Sequence, residues 1–378
     1  MDFDLTEEQR LLRDSVDRLL ADHYSFEKRK AHLAEPEGWS RDLWAQYAEL
    51  GLLGLPFAEE HGGFGGGGIE TMLVMQAFGR VLALEPYLAT AVLAGTALRL
   101  AANAAQQSAL LPQIAEGKLS LAFAHGERQA RYDLSDVLTT AKPKGSGWII
   151  DGAKSVITHG DSADKLIVSA RTRGQRNDPN GIGLFVVDAD ANGVARRAYR
   201  MRDGMGAAEI ALSGVEVGSD AVLGEIGKAF PVIERVVEAG IAATAAEAVG
   251  AMETMQAMTL EYLKTRQQFG RPIGDNQALQ HRATEMFVAL EQGRSLAMLA
   301  AMMVDEPDPA ERARNIAMVK AGVGQAARFV SQNAVQLHGG IGMTEEYAVG
   351  HYFRCCMVIE HSFGDTAHHL SRLADQVR

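Results

Sequence analysis

Apolar positions along the chain follow three successive rhythms. From Leu5 to about Gly117 they recur at helical spacing. The stretch LTEEQRLLRDSVDRLLADHY places Thr6 at an N-cap, acids in the first turn, and Leu11, Leu12, Val16, Leu19 and Leu20 on one stripe. A glycine run, HGGFGGGG at 61–68, breaks the helices and introduces IETMLVMQAFGRVLALEP. Between about Leu119 and Gly224 the period shortens. SLAFAHGE, WIIDGAKSVIT, KLIVSART and GIGLFVVDAD are β-type runs bounded by Gly, Asp and Asn. Strands that follow one another without helices between them predict a barrel or sandwich module. From about Phe230 the helical period returns in long Ala- and Met-rich segments, apolar on more than one face, which suits a bundle core or an oligomer seam. The pattern predicts an α+β multidomain protein, with a helical domain at 1–118, a β-domain at 119–225 and a helical domain at 226–378.

Composition narrows the picture. Apolar residues make up 47% and charged residues 22% of 378 residues, a globular mix. The net charge of −11 argues against a general nucleic-acid binder and leaves room only for a local basic patch. The two cysteines, Cys355 and Cys356, are adjacent and ill placed for a disulfide, which predicts a reduced, intracellular setting. The acidic start carries no signal-peptide pattern, and the most apolar window, YLATAVLAGTAL, is too short to span a bilayer. A cytoplasmic protein without membrane or nucleic-acid partners is expected.

Candidate chemistry lies in a few strings. GSGWIIDGAK has Ala153 where a P-loop needs lysine, and no G-x-G-x-x-G opens a helix after a strand, so a nucleotide cofactor would have to be held another way. In TRQQFGRPIGDNQALQHRATEM, Arg266 and Arg271 are either solvated helix-end charges or part of an anion grip. There FGRPI ends one helix, Asp275 or Asn276 caps the next, and Arg266 and Gln277 flank a tight turn suited to a pyrophosphate. QLHGGIGMTEEY reads as a helix C-cap and turn. It also offers Gln336 beside Gly339, Gly340 and Gly342, where a backbone can approach a ligand closely.

MDFDLTEEQ, TRQQFGRPIG, QLHGGIGMTEEY and the helix–strand–helix order together resemble the acyl-CoA dehydrogenase family of flavoproteins, over essentially the whole chain. The resemblance implies a C-terminal four-helix bundle, an oligomer built from dimers, and FAD lying extended between the β-domain and the bundles of two subunits. It implies that Arg266 and Gln277 hold the pyrophosphate and adenosine region from across the dimer, with Phe269 beside it, and that Gln336, Gly339 and Gly340 line the same cofactor. KSVITHG is similar to a family string that places Thr158 at the flavin, with Val156 where tryptophan is usual. The implied reaction removes the α-proton of an acyl-CoA with a carboxylate while the β-hydrogen leaves as hydride to the flavin, and an electron-transfer flavoprotein then takes the electrons. Such chemistry needs a polarised thioester carbonyl and a desolvated base.

The departures matter as much. FAHGERQARYD aligns with the family's F-A-L-T-E-P-x-A-G-S-D: Glu127, Ala130 and Asp133 fit, Glu127 falling on the cofactor side. Gly126 replaces a hydroxyl residue, and Arg131-Tyr132 replace a small Gly-Ser pair near the substrate, which narrows or re-aims the acyl pocket. Arg128 or Arg131 is a surface charge or a partner for a second carboxylate on the acyl chain. In SFGDT, Phe363 occupies the place of the usual catalytic glutamate. IERVVEAG resembles the string in which other members carry the base on an earlier helix, and puts Glu234 in register; without that context Glu234 is a helix-start surface acid. Glu247 is expected in a buried structural pair. The histidines and cysteines of CCMVIEHSFGDTAHHL lack metal-ligand spacing, so no metal is expected, and Asp365 with Thr366 either touch FAD or start the last helix. The SFGDTAHH tail and the altered loop resemble a branch labelled as the small subunit of pimeloyl-CoA-type or steroid side-chain dehydrogenases. A homo-oligomer and a heterotetramer with a second dehydrogenase chain both remain open. So do two rival functions, a non-catalytic FAD-contacting partner subunit and a cofactor-free helical scaffold.

Overall fold

A computed structural model describes residues 5–375; Met1–Asp4, the head of the string MDFDLTEEQ, lie outside the described residues. Helices come first: α1 (Glu7–His23), α2 (Phe26–Leu33), α3 (Arg41–Glu49), α4 (Gly68–Val81), a π-helical segment (Leu88–Ala94), α5 (Gly95–Ala101) and α6 (Ala104–Ala115). Strands follow: β1 (Leu121–Ala124), β2 (Thr140–Lys144), β3 (Gly147–Thr158), β4 (Lys165–Arg171), β5 (Ile182–Asp188), β6 (Val194–Arg200), β7 (Gly206–Val217) and β8 (Val222–Leu223). Then come α7 (Phe230–Thr265), a small hairpin of β9 (Gln267–Gln268) and β10 (Arg271–Pro272), α8 (Gln277–Met303), α9 (Pro309–His338), α10 (Val349–His361) and α11 (Thr366–Asp375). This is the predicted order of helices, sheet and helices.

The chain groups into two compact units. One comprises the described residues up to Ala31, Gly67–Ala83 and the described residues from Ile241 on; the other comprises His32–Gly66 and Leu84–Gly240. In the first, α9 packs against α8, α10 and α11, and α4 crosses α7 at glycines. A side chain on Gly79 or Gly250 would strike backbone oxygen 2.0 Å away, so this crossing needs both. Thr6 closes a capping box with Gln9 at the start of α1. Val16 and Leu20 are buried there, but Leu11 is 61% exposed. It lies five residues before Val16, about 140° round the helix, outside the stripe first read for it.

In the second unit all eight strands share one mixed sheet, ordered β6-β7-β3-β2-β4-β5-β8, with β1 pairing parallel to β4. Ile150, Leu166, Val168, Phe185, Ile210 and Val215 form its core. The edge strand β6, VARRAYR, carries three arginines, charges that suit an unpaired strand edge. Among the described residues no helix is long and apolar enough to cross a membrane.

Candidate active site

The β-unit contributes a platform built on one irregularity. Between Lys154 and Ile157 strand β3 gains a residue relative to β7, a bulge that leaves Val156 at φ 55 and 57% exposed. Glu209 holds the bulge: its Oε1 accepts from Ser155 Oγ (3.0 Å), Val156 N (3.3 Å) and Tyr199 Oη (3.1 Å). Ser155 N also donates to Gly126 O at 2.8 Å, tying the loop after β1 to the bulge. Thr158, half-buried at the end of β3, and Gly126 therefore stand on connected backbone.

Glu127 is turned inward rather than toward a ligand. Its side chain and that of Lys154 are 2% and 0% exposed, with Lys154 Nζ 2.7 Å from Glu127 Oε1. The carboxylate also accepts from Leu138 N (2.8 Å), Thr139 N (3.1 Å) and Gln129 Nε2 (2.8 Å). Burial alone would raise this carboxyl; the Lys154 charge and these hydrogen bonds outweigh it and bring it down to about 2. Its carboxylate is spent on the loop, so the cofactor-side position first expected for it becomes a supporting one. Burial lowers Lys154 to about 8 against the pull of Glu127. Lys154 Nζ also donates to Ser169 Oγ (3.0 Å), and Ser169 Oγ lies 2.9 Å from His125 Nδ1. Burial first and the Lys154 charge second keep that imidazole neutral, its pKa lowered to about 3. The loop so fixed carries exposed Arg131, at φ 50, and half-buried Tyr132. Sequence reasoning misses the partnership of Lys154, although its place four residues on from inward Ile150, on the same face of a period-2 strand, signals an inward side chain.

In the helical unit, Phe269 and Gly270 have φ 54 and 81, the two central positions of the β9–β10 turn. The Phe269 ring is fully exposed at its tip. Arg266 directly follows α7 and Gln277 starts α8, both exposed, so the tight turn read between them is this hairpin. Asn276 stands at the N-cap of α8 without capping: its side chain instead donates to Ile273 O (2.8 Å) and accepts from Arg271 Nη2 (3.2 Å). A cleft of about 550 Å³ adjoins the hairpin, lined by Leu260, Leu263, Pro272, Gly274, Ala283 and Phe287 among others. The end of α9 lies at the same end of the bundle, since the rings of Tyr262 and His338 are 4.6 Å apart and Arg282 Nη1 donates to Asn333 Oδ1 at 2.7 Å. There Gln336 is exposed, Gly339 adopts φ 63 and ψ −142, and a side chain at Gly339 or Gly340 would meet nothing within 4 Å. Glycine at 339 is demanded by backbone conformation, and the space in front of both is open.

Asp365 and Thr366 sit elsewhere. Asp365 Oδ1 accepts from His368 N (2.8 Å), so this residue starts α11. The α10–α11 elbow packs on the middle of α9, where Gly324 closely faces Glu360 and Thr366. At 1.5 Å per residue that point is about 22 Å from Gly339 along the helix. One chain thus does not bring Asp365 and Thr366 to the glycine turn. The elbow is internally closed: Glu360 Oε1 accepts from Thr366 N (3.1 Å) and Arg328 Nη2 (3.3 Å), and Phe363 O lies 2.9 Å from His369 Nε2. Phe363 itself has φ 58. The thiol of Cys355 meets Glu247 Oε1 at 3.8 Å, the structural pairing expected of that glutamate, and burial pushes Cys356 up to about 12. Among the described residues no group of three His, Cys, Asp or Glu is placed to hold a metal ion. Glu234 lies on the second turn of α7, half-buried, after an entry pinned by Ala229 N donating to Ile182 O at 3.0 Å.

Residues 6–118, 122–217 and 227–378 match, in order, the N-terminal, middle and C-terminal domains of acyl-CoA dehydrogenase. The acyl-CoA dehydrogenase FadE12 of Mycobacterium tuberculosis is 31% identical over 352 residues, covering 91% of this chain and 89% of that one. Butyryl-CoA dehydrogenase from Megasphaera elsdenii superposes with a TM-score of 0.91 at 25% identity, over the whole of both chains. The ChsE4–ChsE5 complex from Mycobacterium tuberculosis gives 0.88 at 25% identity, over 100% of this chain and 99% of that one. The chain belongs to the acyl-CoA dehydrogenase family. It is an oxidoreductase acting on the CH–CH bond next to an acyl-CoA thioester, and FAD is its cofactor.

The surfaces of this acyl-CoA dehydrogenase fit that cofactor. An exposed guanidinium at Arg266, which has no ion pair or side-chain hydrogen bond among the described residues, suits a phosphate. An exposed aromatic ring and an apolar cleft beside it suit a flat ring system, and the open glycine turn admits close approach.

Proposed function

We propose that this chain dehydrogenates an acyl-CoA with Glu234 as the base. What supports the assignment is that the family resemblance puts Phe363, a side chain that takes no proton, in the place of the usual base and Glu234, half-buried on α7, in the alternative register. Bound FAD supplies the acceptor for the β-hydrogen. Arg266, Phe269 and Gln277 hold it at the hairpin, Gln336, Gly339 and Gly340 at the α9 turn, and Thr158 at the bulged strand. Asp365 and Thr366, about 22 Å from the turn, belong to the far part of an extended site or to a neighbouring copy's site. Arg131 and Tyr132 border the substrate. The likeness to the ChsE4–ChsE5 complex and family membership support an oligomer, with a heterotetramer and a homo-oligomer as its two forms and an electron-transfer flavoprotein as electron acceptor. Two buried free thiols suit a cytoplasmic setting.

A second reading, a partner subunit that contacts FAD without completing a site, is favoured by the same Phe363. One experiment separates them. The chain is purified alone, its FAD quantified, and a panel of acyl-CoAs added without oxygen while the flavin band is followed. Bleaching by one of them, slowed about 10²–10⁴-fold in Glu234→Gln, establishes the dehydrogenase with this base. Bound flavin that no acyl-CoA bleaches establishes the partner subunit instead.

A further inference from the structure

The loop from Gly126 to Thr139 is a closed system of charges with two left over. Glu127 is matched by Lys154. Asp133 accepts from Ser135 N (2.9 Å), Ser135 Oγ (2.7 Å) and Asn177 Nδ2 (3.3 Å). Asp136 meets Arg176 through two contacts of 2.5 Å. Arg171 donates to the carbonyls of Ser135, Arg176 and Asp178, each at 2.7 Å, and fastens the loop to its neighbour. Arg128 and Arg131 remain exposed, and among the described residues neither guanidinium has a hydrogen bond or ion pair.

Solvated surface arginines are common, but this pair has three features that bare surface charges lack. Its backbone is fixed at several points by buried or half-buried ion pairs and hydrogen bonds, so the side chains start from a fixed base. Arg131 stands at φ 50, where an arginine is strained and a glycine is not. The chain as a whole is acidic, with a net charge of −11, against which two guanidiniums three residues apart, unpaired among the described residues, stand out. Resting on the substrate border assigned above, we propose that Arg128 and Arg131 form an anion-reading edge of the thioester site. The group read is a carboxylate at the far end of the acyl chain or a phosphate of the CoA; both match a guanidinium fork.

The test is equilibrium calorimetry on the FAD-loaded protein. Three α,β-unsaturated ligands are titrated, chosen so that the bond in question is already desaturated: a straight-chain acyl-CoA, its ω-carboxyl counterpart of equal length, and its 3′-dephospho form. Arg131→Gly removes the charge while suiting φ 50, so its melting temperature should hold or rise. The expected result is about a tenfold loss of affinity, in line with a charge-assisted hydrogen bond. Loss confined to the ω-carboxyl ligand assigns the acyl carboxylate. Loss for both full CoA ligands but not the dephospho form assigns the 3′-phosphate, and equal loss for all three assigns the pyrophosphate. Affinities within twofold of wild type for all three ligands, in Arg131→Gly and in Arg128→Ala/Arg131→Gly alike, overturn the inference alone. A wild-type protein that holds FAD and binds none of the three overturns the acyl-CoA assignment and this inference with it.

Discussion

Replacing Lys154 by methionine keeps the aliphatic stem of the side chain and deletes its charge. Glu127 then stays buried without a cation, although Leu138 N and Thr139 N still donate to it at 2.8 and 3.1 Å. Against its burial, the Lys154 charge is the main force holding the Glu127 carboxyl low. Removing one partner of a buried pair leaves the other charge uncompensated, so Lys154→Met should cost about 3 kcal/mol. In a unit of this size that lowers the melting temperature by about 6–12 °C. Glu127→Gln added to Lys154→Met should recover much of the loss, because a neutral amide oxygen still accepts from the two backbone N–H groups.

The pH dependence has a definite sign. In the wild type the depressed Glu127 contributes stability that is present above its unfolded value near 4.5 and is lost as pH falls toward 2. In Lys154→Met, burial acts without an opposing cation and lifts the carboxyl above 4.5, so the penalty is full at pH 7 and eases as acid neutralises it. The gap between the two proteins should therefore narrow between pH 7 and pH 4. Scanning calorimetry of FAD-saturated protein at the two pH values measures both effects. A deficit below about 1 kcal/mol at pH 7, or one that does not shrink in acid, refutes the account of this pair.

Other substitutions probe the rest of the site. Glu234→Gln should slow anaerobic flavin bleaching by acyl-CoA about 10²–10⁴-fold while leaving bound FAD unchanged, and undiminished bleaching would place the base elsewhere. Val156→Gly should stabilise the protein by about 1 kcal/mol, seen as a higher melting temperature, since it relieves a β-branched residue at φ 55 whose side chain is mostly exposed; a fall would mean the valine is packed. Arg266→Ala should change stability by less than about 0.5 kcal/mol but weaken FAD retention about tenfold or more, read as the FAD-to-protein ratio after dialysis. Unchanged retention would remove Arg266 from the cofactor site. Arg131→Gly, whose calorimetric test is set out above, should cost affinity for an anionic thioester and no stability.

Much of this architecture is legible in the sequence because hydrophobic period, caps and turns agree with one another. The helix starting after Thr6 and the strands around Ile150 and Leu166 follow from local pattern alone. What was hidden depends on partners distant in sequence. Nothing near Glu127 shows that its carboxylate turns inward, because that is decided by Lys154, 27 residues away, and by two N–H groups across the loop. Helical spacing puts Leu11 on the same stripe as Val16 and Leu20, yet its angular position leaves it outside. The exposed β6 gives little apolar signal, since its arginines interrupt the pattern that marks β1, β3, β4 and β5.

Backbone strain links the motif strings to one another. Among the described residues, non-glycine side chains at positive φ are Leu82, Arg131, Val156, His159, Phe269 and Phe363. All but Leu82 fall within strings that the family resemblance singled out. Three of them, Arg131, Val156 and Phe363, are the positions where this chain departs from the family pattern of glycine, tryptophan and glutamate. Random drift on a surface would shed such strain, because each position costs about 1–3 kcal/mol and a glycine removes it. Partners hold three of them: Glu209 accepts from Val156 N, Lys154 anchors Glu127 at the head of the loop that carries Arg131, and His369 meets Phe363 O. Strain held by specific partners is a property the fold maintains, not slack at a loose surface.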